Sequence, residues 1–79
     1  MTLLEATQKR ITELCQINNM NINQLAIASG INPSTIRSIY KVIHKAPSSE
    51  TIYYICIGFG ISIKDFYDSA LFKELDDND

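Results

Sequence analysis

The chain has 79 residues and a net charge of −2, with 46% hydrophobic and 20% charged residues, which is typical of one small globular domain and excludes extended disorder. It contains no apolar run of about 18 residues and no basic-then-apolar leader, so we expect neither a membrane span nor export, and predict a cytoplasmic protein. The negative net charge does not exclude an anionic partner, because the acidic residues are concentrated at the C-terminal end. Residues 1–60 carry five Lys and Arg and three acidic residues, whereas residues 61–79 carry two Lys and six acidic residues.

The first two helices are predicted from apolar spacing and capping residues. Residues 2–19 predict an amphipathic helix 1, whose inward face would comprise Leu4, Thr7, Ile11, Leu14, Cys15 and Asn18. Residues 21–30 predict a shorter helix 2. Asn21 and Gln24 form a capping-box pattern, and Gly30 stands where a helix end requires a positive φ.

Helix 3 follows with Asn32 as its N-cap and Pro33 at its first position. At about 100° per residue, one narrow sector is predicted to be core: Ile36, Ile39, Tyr40 and Ile43. The opposite side collects hydroxyls and cations, namely Ser34, Ser38, Lys41 and Lys45, with Arg37 at its edge. This composition suits a helix that enters a DNA major groove, and it equally fits an ordinary solvated face.

The last two helices lead into an acidic end. Helix 4 is predicted over Ser49–Phe59, with Ser48 as N-cap and Gly60 as the stop. Ser62 starts helix 5, whose inward residues are either Phe66, Ala70 and Leu71 or Phe66, Tyr67, Ala70 and Phe72. The surplus of aromatics predicts either a self-association surface or a cover for the end of a small core. We expect one domain over residues 1–75 and a frayed acidic terminus at residues 76–79.

No group of side chains supports catalysis or metal binding. The two cysteines, Cys15 and Cys56, stand far apart in apolar patterns, which favours buried free thiols over a disulfide. His44 has no carboxylate or thiol at ligand spacing, which favours a phosphate contact or a surface residue. Gly58 and Gly60 lack the third glycine of a phosphate cradle and indicate a helix end. We therefore expect no catalytic residue, no metal, no cofactor and no enzymatic activity.

The order of these parts resembles the helix-turn-helix domains of the Cro and lambda-repressor type, the Xre family, over residues 8–67. The motifs that carry the resemblance are Arg10-Ile11 with Leu14, Asn21 with Gln24-Leu25-Ala26, Gly30-Ile31-Asn32, Ser34-Thr35-Ile36 with Ile39, Pro47-Ser48 with Thr51-Ile52, and Phe59-Gly60-Ile61-Ser62. The resemblance implies a compact, all-α, phage-repressor-like domain of five helices. Its helix-turn-helix would be helices 2 and 3, with the recognition helix beginning at Pro33.

The resemblance also implies a DNA interface. Base contacts are expected from Pro33, Ser34 and Ser38, and phosphate contacts from Arg37 and Lys41. The DNA backbone would also be held by the start of helix 2 and by the loop before helix 4, which correspond to Asn21, Ile22, Asn23, Lys45 and Ser48. Homodimers formed through helix 5 would place two recognition helices about 34 Å apart on a pseudo-palindromic operator.

Three positions depart from the family pattern. Ile22 stands where a polar residue, usually Gln, contacts DNA. Cys15 and Tyr40 stand where many relatives pair Arg with Glu, so apolar packing is expected to replace an ion pair. Val42 stands where Gly often ends helix 3, which predicts a helix that continues through Ile43 or His44.

The leading hypothesis is a sequence-specific, double-stranded DNA-binding transcriptional regulator, of the small prophage-type or bacterial repressor kind. The alternative is a protein-interaction module that keeps the helix-turn-helix fold without binding DNA. Its partner surfaces would include Ile22, Ile27 and the aromatic residues of helix 5.

Overall fold

The computed structural model describes residues 1–41 and 45–76, and this part of the chain contains helices, turns and loops but no strand. The helices follow in the order α1 (Leu3–Ile17), α2 (Ile22–Ser29), α3 (Pro33–Lys41), α4 (Ser49–Phe59) and α5 (Ile63–Tyr67), and a 3₁₀ turn (Ala70–Lys73) comes after α5. The predicted all-α architecture of five helices is confirmed. The predicted continuation of helix 3 through Ile43 or His44, and the predicted core position of Ile43, lie outside the described residues.

A reciprocal cap fixes the start of α1. The Thr2 hydroxyl accepts a hydrogen bond from the Glu5 N–H at 3.0 Å, and the Glu5 carboxylate accepts one from the Thr2 N–H at 3.0 Å. The hydrogen bond from the Thr2 backbone N–H, followed by the Thr2 hydroxyl beside the carboxylate, lowers the pKa of Glu5. The predicted inward face of α1 is buried at Leu4, Thr7, Ile11, Leu14 and Cys15, while Asn18 at its end is exposed.

The turn between α2 and α3 has the predicted chemistry. Asn21 and Gln24 form the expected capping box, with both hydrogen bonds at 2.8 Å. Gly30 ends α2 at a φ of 72°, and the Ile31 N–H donates back to the Ala26 carbonyl at 3.1 Å. The Asn32 side chain then accepts from the Ser34 N–H at 2.9 Å and starts α3. The two helices therefore meet across the short turn of a helix-turn-helix.

The core receives side chains from all five helices. The larger apolar side chains with almost no exposure are Ile11, Leu25, Ile36, Ile52, Ile55, Cys56 and Phe66. Tyr40, which was predicted to share the core sector of helix 3, is 37% exposed, so this part of the prediction is wrong. Its hydroxyl reaches a polar partner, Thr12, at 2.9 Å, which holds the ring at the surface of α1.

α4 crosses α2 at close range. The Ser48 hydroxyl accepts from the Thr51 N–H at 3.2 Å, and Gly60 ends α4 at a φ of 72°, as predicted. Gly58 lies against α2, because a Cβ placed there would be 2.1 Å from Ser29 Oγ. The sequence indicated only a helix end at this glycine, whereas in the structure it is the crossing point of two helices.

α5 is a short helix that does not extend to Ala70, whereas both predicted inward sets required a helix that includes this residue. It ends at Tyr67, and the Ser69 hydroxyl accepts from the Leu71 N–H at 3.3 Å to begin the 3₁₀ turn. Neither predicted inward set forms one helical face, and Ala70 is exposed. Phe66 is fully buried, and the rings of Tyr67 and Phe72 lie 5.0 and 6.1 Å from its ring. These aromatics cover one end of the core.

Asp76 contacts the first residue of the chain. Its N–H donates to the Met1 carbonyl at 3.0 Å, and its carboxylate lies 2.8 Å from the Met1 amino group. The acidic terminus was expected to fray from this residue, yet Asp76 is paired. The domain boundary at residue 75 stays a prediction, and residues 77–79 lie outside the described chain.

Candidate nucleic-acid interface

The outer face of α3 carries the side chains that the sequence predicted for DNA. Ser34, Arg37, Ser38 and Lys41 are exposed, and Pro33 is half-buried at the helix start. With about 100° between successive residues, Ser34 and Lys41 lie near the middle of the exposed face. Arg37 lies toward one edge and Ser38 toward the other. The two edges meet different parts of the fold.

The Arg37 edge faces α2. Arg37 Nη2 donates a hydrogen bond to Asn23 Oδ1 at 2.6 Å, which joins the two helices of the helix-turn-helix. Both residues are exposed. The sequence predicted them as separate contacts to the DNA backbone, and the structure brings them together as a pair. A guanidinium has five N–H donors, so Arg37 keeps donors for a further acceptor.

The Ser38 edge faces the loop before α4. A groove of about 260 Å³ lies there, and Ser38, Lys45 and Ser48 are among its lining residues. Ser48 is the N-cap of α4, so the groove opens beside a helix N-terminus, which favours negative charge. The structure thus brings these three predicted site residues together. Glu50, in the first turn of α4, is an exposed acidic residue near the same end.

Both serine hydroxyls on this face already donate a hydrogen bond within the protein. Ser34 Oγ donates to Asn32 Oδ1 at 2.9 Å, and Ser38 Oγ donates to the Thr35 carbonyl at 2.7 Å. Neither Asn32 nor Thr35 was predicted as a site residue. The N-cap pattern at Asn32 could have indicated the hydrogen bond between Asn32 and Ser34. The bond from Ser38 to the Thr35 carbonyl has no distinct sequence signal, because any serine inside a helix can bond back to a carbonyl of that helix.

The start of α2 presents backbone donors. The capping box satisfies the N–H groups of Asn21 and Gln24, and the Leu25 N–H donates to the Asn21 carbonyl at 3.0 Å. The N–H groups of Ile22 and Asn23 remain at the open end of the helix, where the intrahelical pattern supplies no acceptor. The Ile22 side chain is half-buried and packs against the core.

Positive charge is concentrated in this part of the chain. Residues 14–49 contain Arg37, Lys41 and Lys45 and no acidic residue. Arg10 does not contribute to the interface, because its Nε and Nη2 donate to the carbonyls of Phe66 and Asp65 at 2.7 and 2.9 Å. The interface therefore has three basic side chains, each of them exposed.

A second groove lies between α1, the start of α2 and the end of α3. It measures about 400 Å³ and is lined in part by Cys15, Ile22 and Tyr40. Burial raises the pKa of Cys15 and of Tyr40. At these two positions, where apolar packing was expected to replace an ion pair, Cys15 is buried and Tyr40 forms a hydrogen bond with Thr12.

The described residues contain no cluster of three or more His, Cys, Asp or Glu able to hold a metal ion. Cys15 and Cys56 are buried free thiols, as predicted. Among the helices of the described ranges, none has the length and apolar character needed to cross a membrane.

Comparison with known proteins points in the same direction as this geometry. The family model of the Cro/C1-type HTH DNA-binding domain matches residues 10–69. The chain is also similar to the crystal structure of prophage Lp1 protein 11, with 32% sequence identity and a TM-score of 0.81. That match covers 95% of this chain and 99% of the other. A comparison with curated proteins gave no match.

Proposed function

Because the chain belongs to the Cro/C1-type helix-turn-helix family of DNA-binding domains, we propose that it is a sequence-specific, double-stranded DNA-binding transcriptional regulator. The observation that carries this proposal is the outer face of α3, where exposed serines lie among cations in a segment without acidic residues. α3 enters the major groove with Pro33 at its leading end. The regulator acts by binding, without a catalytic step or a cofactor.

The side chains of α3 divide between bases and phosphates. Pro33, Ser34 and Ser38 face the base edges, where small groups allow the helix to approach closely. Arg37 and Lys41 contact phosphates beside the groove. The lengths and charges of the side chains support this division, because a short serine hydroxyl reaches only atoms close to the helix, whereas a long cation reaches the phosphates beside the groove.

Two helix N-termini hold the DNA backbone on either side of α3. At the start of α2, Asn21 fixes the cap, Asn23 positions Arg37, and the N–H groups of Ile22 and Asn23 bind a phosphate oxygen. At the other flank Lys45 and Ser48 contact a second phosphate beside the N-terminus of α4. The Ile22 side chain supplies no hydrogen bond, so its position contributes through the backbone alone.

Two copies associate through α5 under this proposal. Ile63 and Tyr67 are 43% and 38% exposed, and a spacing of four residues puts them on one face of α5. An equivalent pair on a second copy would form a symmetric apolar contact. The dimer would place its recognition helices about 34 Å apart on a pseudo-palindromic operator.

The regulator would act as a repressor of the small prophage type, in the cytoplasm. Its similarity to a prophage protein supports this context. A bound dimer blocks access to the DNA that it covers, which requires no activity beyond binding. A reporter gene is placed behind a promoter that contains the operator found by binding-site selection. Its expression should fall when the chain is produced, and increased expression would contradict repression.

A protein-interaction module is the second candidate function. It is favoured by apolar residues that are exposed away from the outer face of α3, since Ile27 is 81% exposed and Tyr53 and Ile57 about half exposed. Tyr53 and Ile57 are four residues apart on α4, and the Tyr53 and Tyr54 rings lie 5.6 Å apart. Contiguous exposed apolar groups of this kind are typical of protein contacts.

Selection from a random duplex library, followed by fluorescence anisotropy at rising salt, tests DNA binding. We expect sequence-dependent binding whose logarithm falls with log salt at a slope of about −5, if Arg37, Lys41 and Lys45 of both copies each neutralise one phosphate. A sample that is folded by circular dichroism and dimeric by sedimentation, yet does not bind any duplex at low salt, would overturn the proposal and favour the interaction module.

Sedimentation equilibrium tests the dimer contact. Ile63→Asp places a charge on the exposed face of α5 and should shift the chain toward monomer. Ile57→Asp is the matched control, because Ile57 is 49% exposed on α4 and Ile63 43% exposed on α5. Dissociation by Ile57→Asp but not by Ile63→Asp would move the contact from α5 to α4.

A further inference from the structure

We propose that Ser34 and Ser38 contact bases only as hydrogen-bond acceptors, and so select adenine or cytosine on the strand that they face. This inference rests on the proposed function and specifies which base edges α3 recognises. It follows from where the two hydroxyl hydrogens point.

The hydrogen of Ser34 is committed to Asn32. Asn32 Oδ1 accepts from the Ser34 N–H at 2.9 Å and lies 2.9 Å from Ser34 Oγ. Because a backbone N–H can only donate, the atom that it meets is the amide oxygen rather than the amide nitrogen. An amide oxygen cannot donate, so the Ser34 hydroxyl must be the donor in the second bond. Its two lone pairs remain for an outside donor.

The hydrogen of Ser38 is committed in the same way. Ser38 Oγ lies 2.7 Å from the Thr35 carbonyl oxygen, which has no hydrogen to give. The short distance is typical of a well-formed O–H···O bond. Ser38 is exposed, so its lone pairs face solvent at the edge of α3. Both serines on the outer face are therefore acceptors toward a ligand.

Acceptors distinguish bases in the major groove. Adenine presents the N6 amino group and cytosine the N4 amino group, whereas guanine presents O6 and thymine O4. A hydroxyl that is free to rotate could pair with either class. A hydroxyl whose hydrogen is already donated within the protein can only accept. It therefore pairs with an amino group, and its lone pairs repel those of a carbonyl oxygen. The two serines should thus accept A or C and reject G or T on the contacted strand.

Binding-site selection with the wild-type chain and with Ser34→Ala and Ser38→Ala locates the base pair that each serine faces, as the position whose preference disappears in that variant. Where this pair is A·T, its adenine is replaced by purine, which lacks the N6 amino group, or by 7-deazaadenine, which keeps N6 and lacks the N7 acceptor. Where the pair is G·C, pyrimidin-2-one in place of its cytosine removes the N4 amino group. These base analogues test the wild-type protein, so the folding of a variant does not limit the result.

We expect purine or pyrimidin-2-one to weaken wild-type binding about two- to tenfold more than binding by the matching alanine variant, the effect of one lost hydrogen bond. The alanine variant corrects for weaker pairing between the analogue and its complement. 7-Deazaadenine should leave wild-type binding unchanged.

Two results would overturn the inference while leaving DNA binding intact: no extra loss by the wild-type chain with purine or pyrimidin-2-one, or the same selected site for wild type and both variants. Absence of any binding by the folded wild-type chain would overturn this inference and the proposed function together.

Discussion

Gly58 of α4 touches Ser29 of α2, and the pair sets the distance between the two helices. A Cβ at position 58 would be 2.1 Å from Ser29 Oγ and 3.1 Å from the Ser29 backbone nitrogen. Ser29 is 5% exposed, and its hydroxyl has no hydrogen-bond partner within the described chain. α2 also carries Asn23, whose side chain accepts a hydrogen bond from Arg37.

Gly58→Ala should lower the free energy of unfolding by about 1 to 2 kcal/mol. Alanine is the better helix former, but the added methyl group forces α2 and α4 apart, and overpacking of this kind outweighs the gain in propensity. Urea unfolding followed by circular dichroism measures the change. A stabilised Gly58→Ala variant would contradict the close approach of the two helices.

Ser29→Ala is the partner variant for a double-mutant cycle. It removes a buried hydroxyl without a partner, so on its own it should be neutral or slightly stabilising. In the Ser29→Ala background Gly58→Ala should destabilise less, because the nearest atom to the new Cβ is gone. Equal effects of Gly58→Ala in the two backgrounds would show that the hydroxyl is not the obstacle.

Helix boundaries could be predicted from the sequence because caps are local. Asn21 with Gln24, Gly30, Ser48 and Gly60 all occupy the predicted cap positions, and each contact joins residues within a few positions along the chain. The family resemblance could be recognised for the same reason, since it depends on caps and apolar spacing in a fixed order.

Contacts between distant residues could not be predicted. The residues around Gly58 do not indicate that it contacts Ser29, and those around Asn23 do not indicate its hydrogen bond to Arg37. Each contact depends on how two helices pack. Tyr40 was misassigned because helical spacing gives only a direction, and the hydrogen bond to Thr12 on another helix holds its hydroxyl at the surface. Which predicted residues contact DNA stays a prediction.

Arg10 joins α1 to the end of α5, and Arg10→Ala should destabilise the fold. Its side chain is 13% exposed, and its guanidinium donates to the Phe66 and Asp65 carbonyls at 2.7 and 2.9 Å. Removing these charge-assisted bonds leaves two carbonyls at the end of α5 without donors. The free energy of unfolding should fall by about 1.5 to 3 kcal/mol. Thermal and urea unfolding measure the loss.

Glu13→Gln is the control for Arg10→Ala. Glu13 also pairs with Arg10, but its side chain is 46% exposed, and exposed ion pairs contribute little. We expect no resolved change in the urea midpoint. A loss as large as that of Arg10→Ala would assign the stabilisation to the ion pair rather than to the carbonyls of α5.

The two buried thiols should make stability fall at alkaline pH. Burial raises the pKa of Cys15 and of Cys56. In the unfolded chain thiols titrate near 8.5, so as pH rises through about 8.5 the unfolded state loses protons that the native state retains. The free energy of unfolding is therefore undiminished below that pH and decreases above it.

Urea unfolding between about pH 7 and pH 9 measures this decrease below the range, near 10, in which unfolded tyrosines titrate. The range matters because burial also raises the pKa of Tyr40 and Tyr67, so these two tyrosines add to the loss at higher pH. A chain with both Cys15→Ala and Cys56→Ala should lose this part of the pH dependence, whatever its absolute stability. The same slope with and without the thiols would assign the alkaline loss to other groups.

Asn23 should act on DNA through Arg37. The 2.6 Å hydrogen bond between them holds the guanidinium before DNA arrives, so Asn23→Ala should weaken binding about two- to tenfold through the lost ordering of one long side chain. The salt slope should stay unchanged, because the charge remains. Arg37→Ala removes the charge and should reduce the slope by about 0.9 per copy. Anisotropy titrations at several salt concentrations measure both effects.

The combined variant decides between a positioning role and a direct contact for Asn23. If Asn23 acts only by holding Arg37, Asn23→Ala has no further effect once Arg37 is alanine, and the double variant binds like Arg37→Ala alone. Lys73→Ala is the control for charge, because it removes an exposed cation from the 3₁₀ turn, outside α5 and α3, and should leave the slope as it is. Additive losses from Asn23→Ala and Arg37→Ala would mean that the Asn23 side chain contacts the DNA directly.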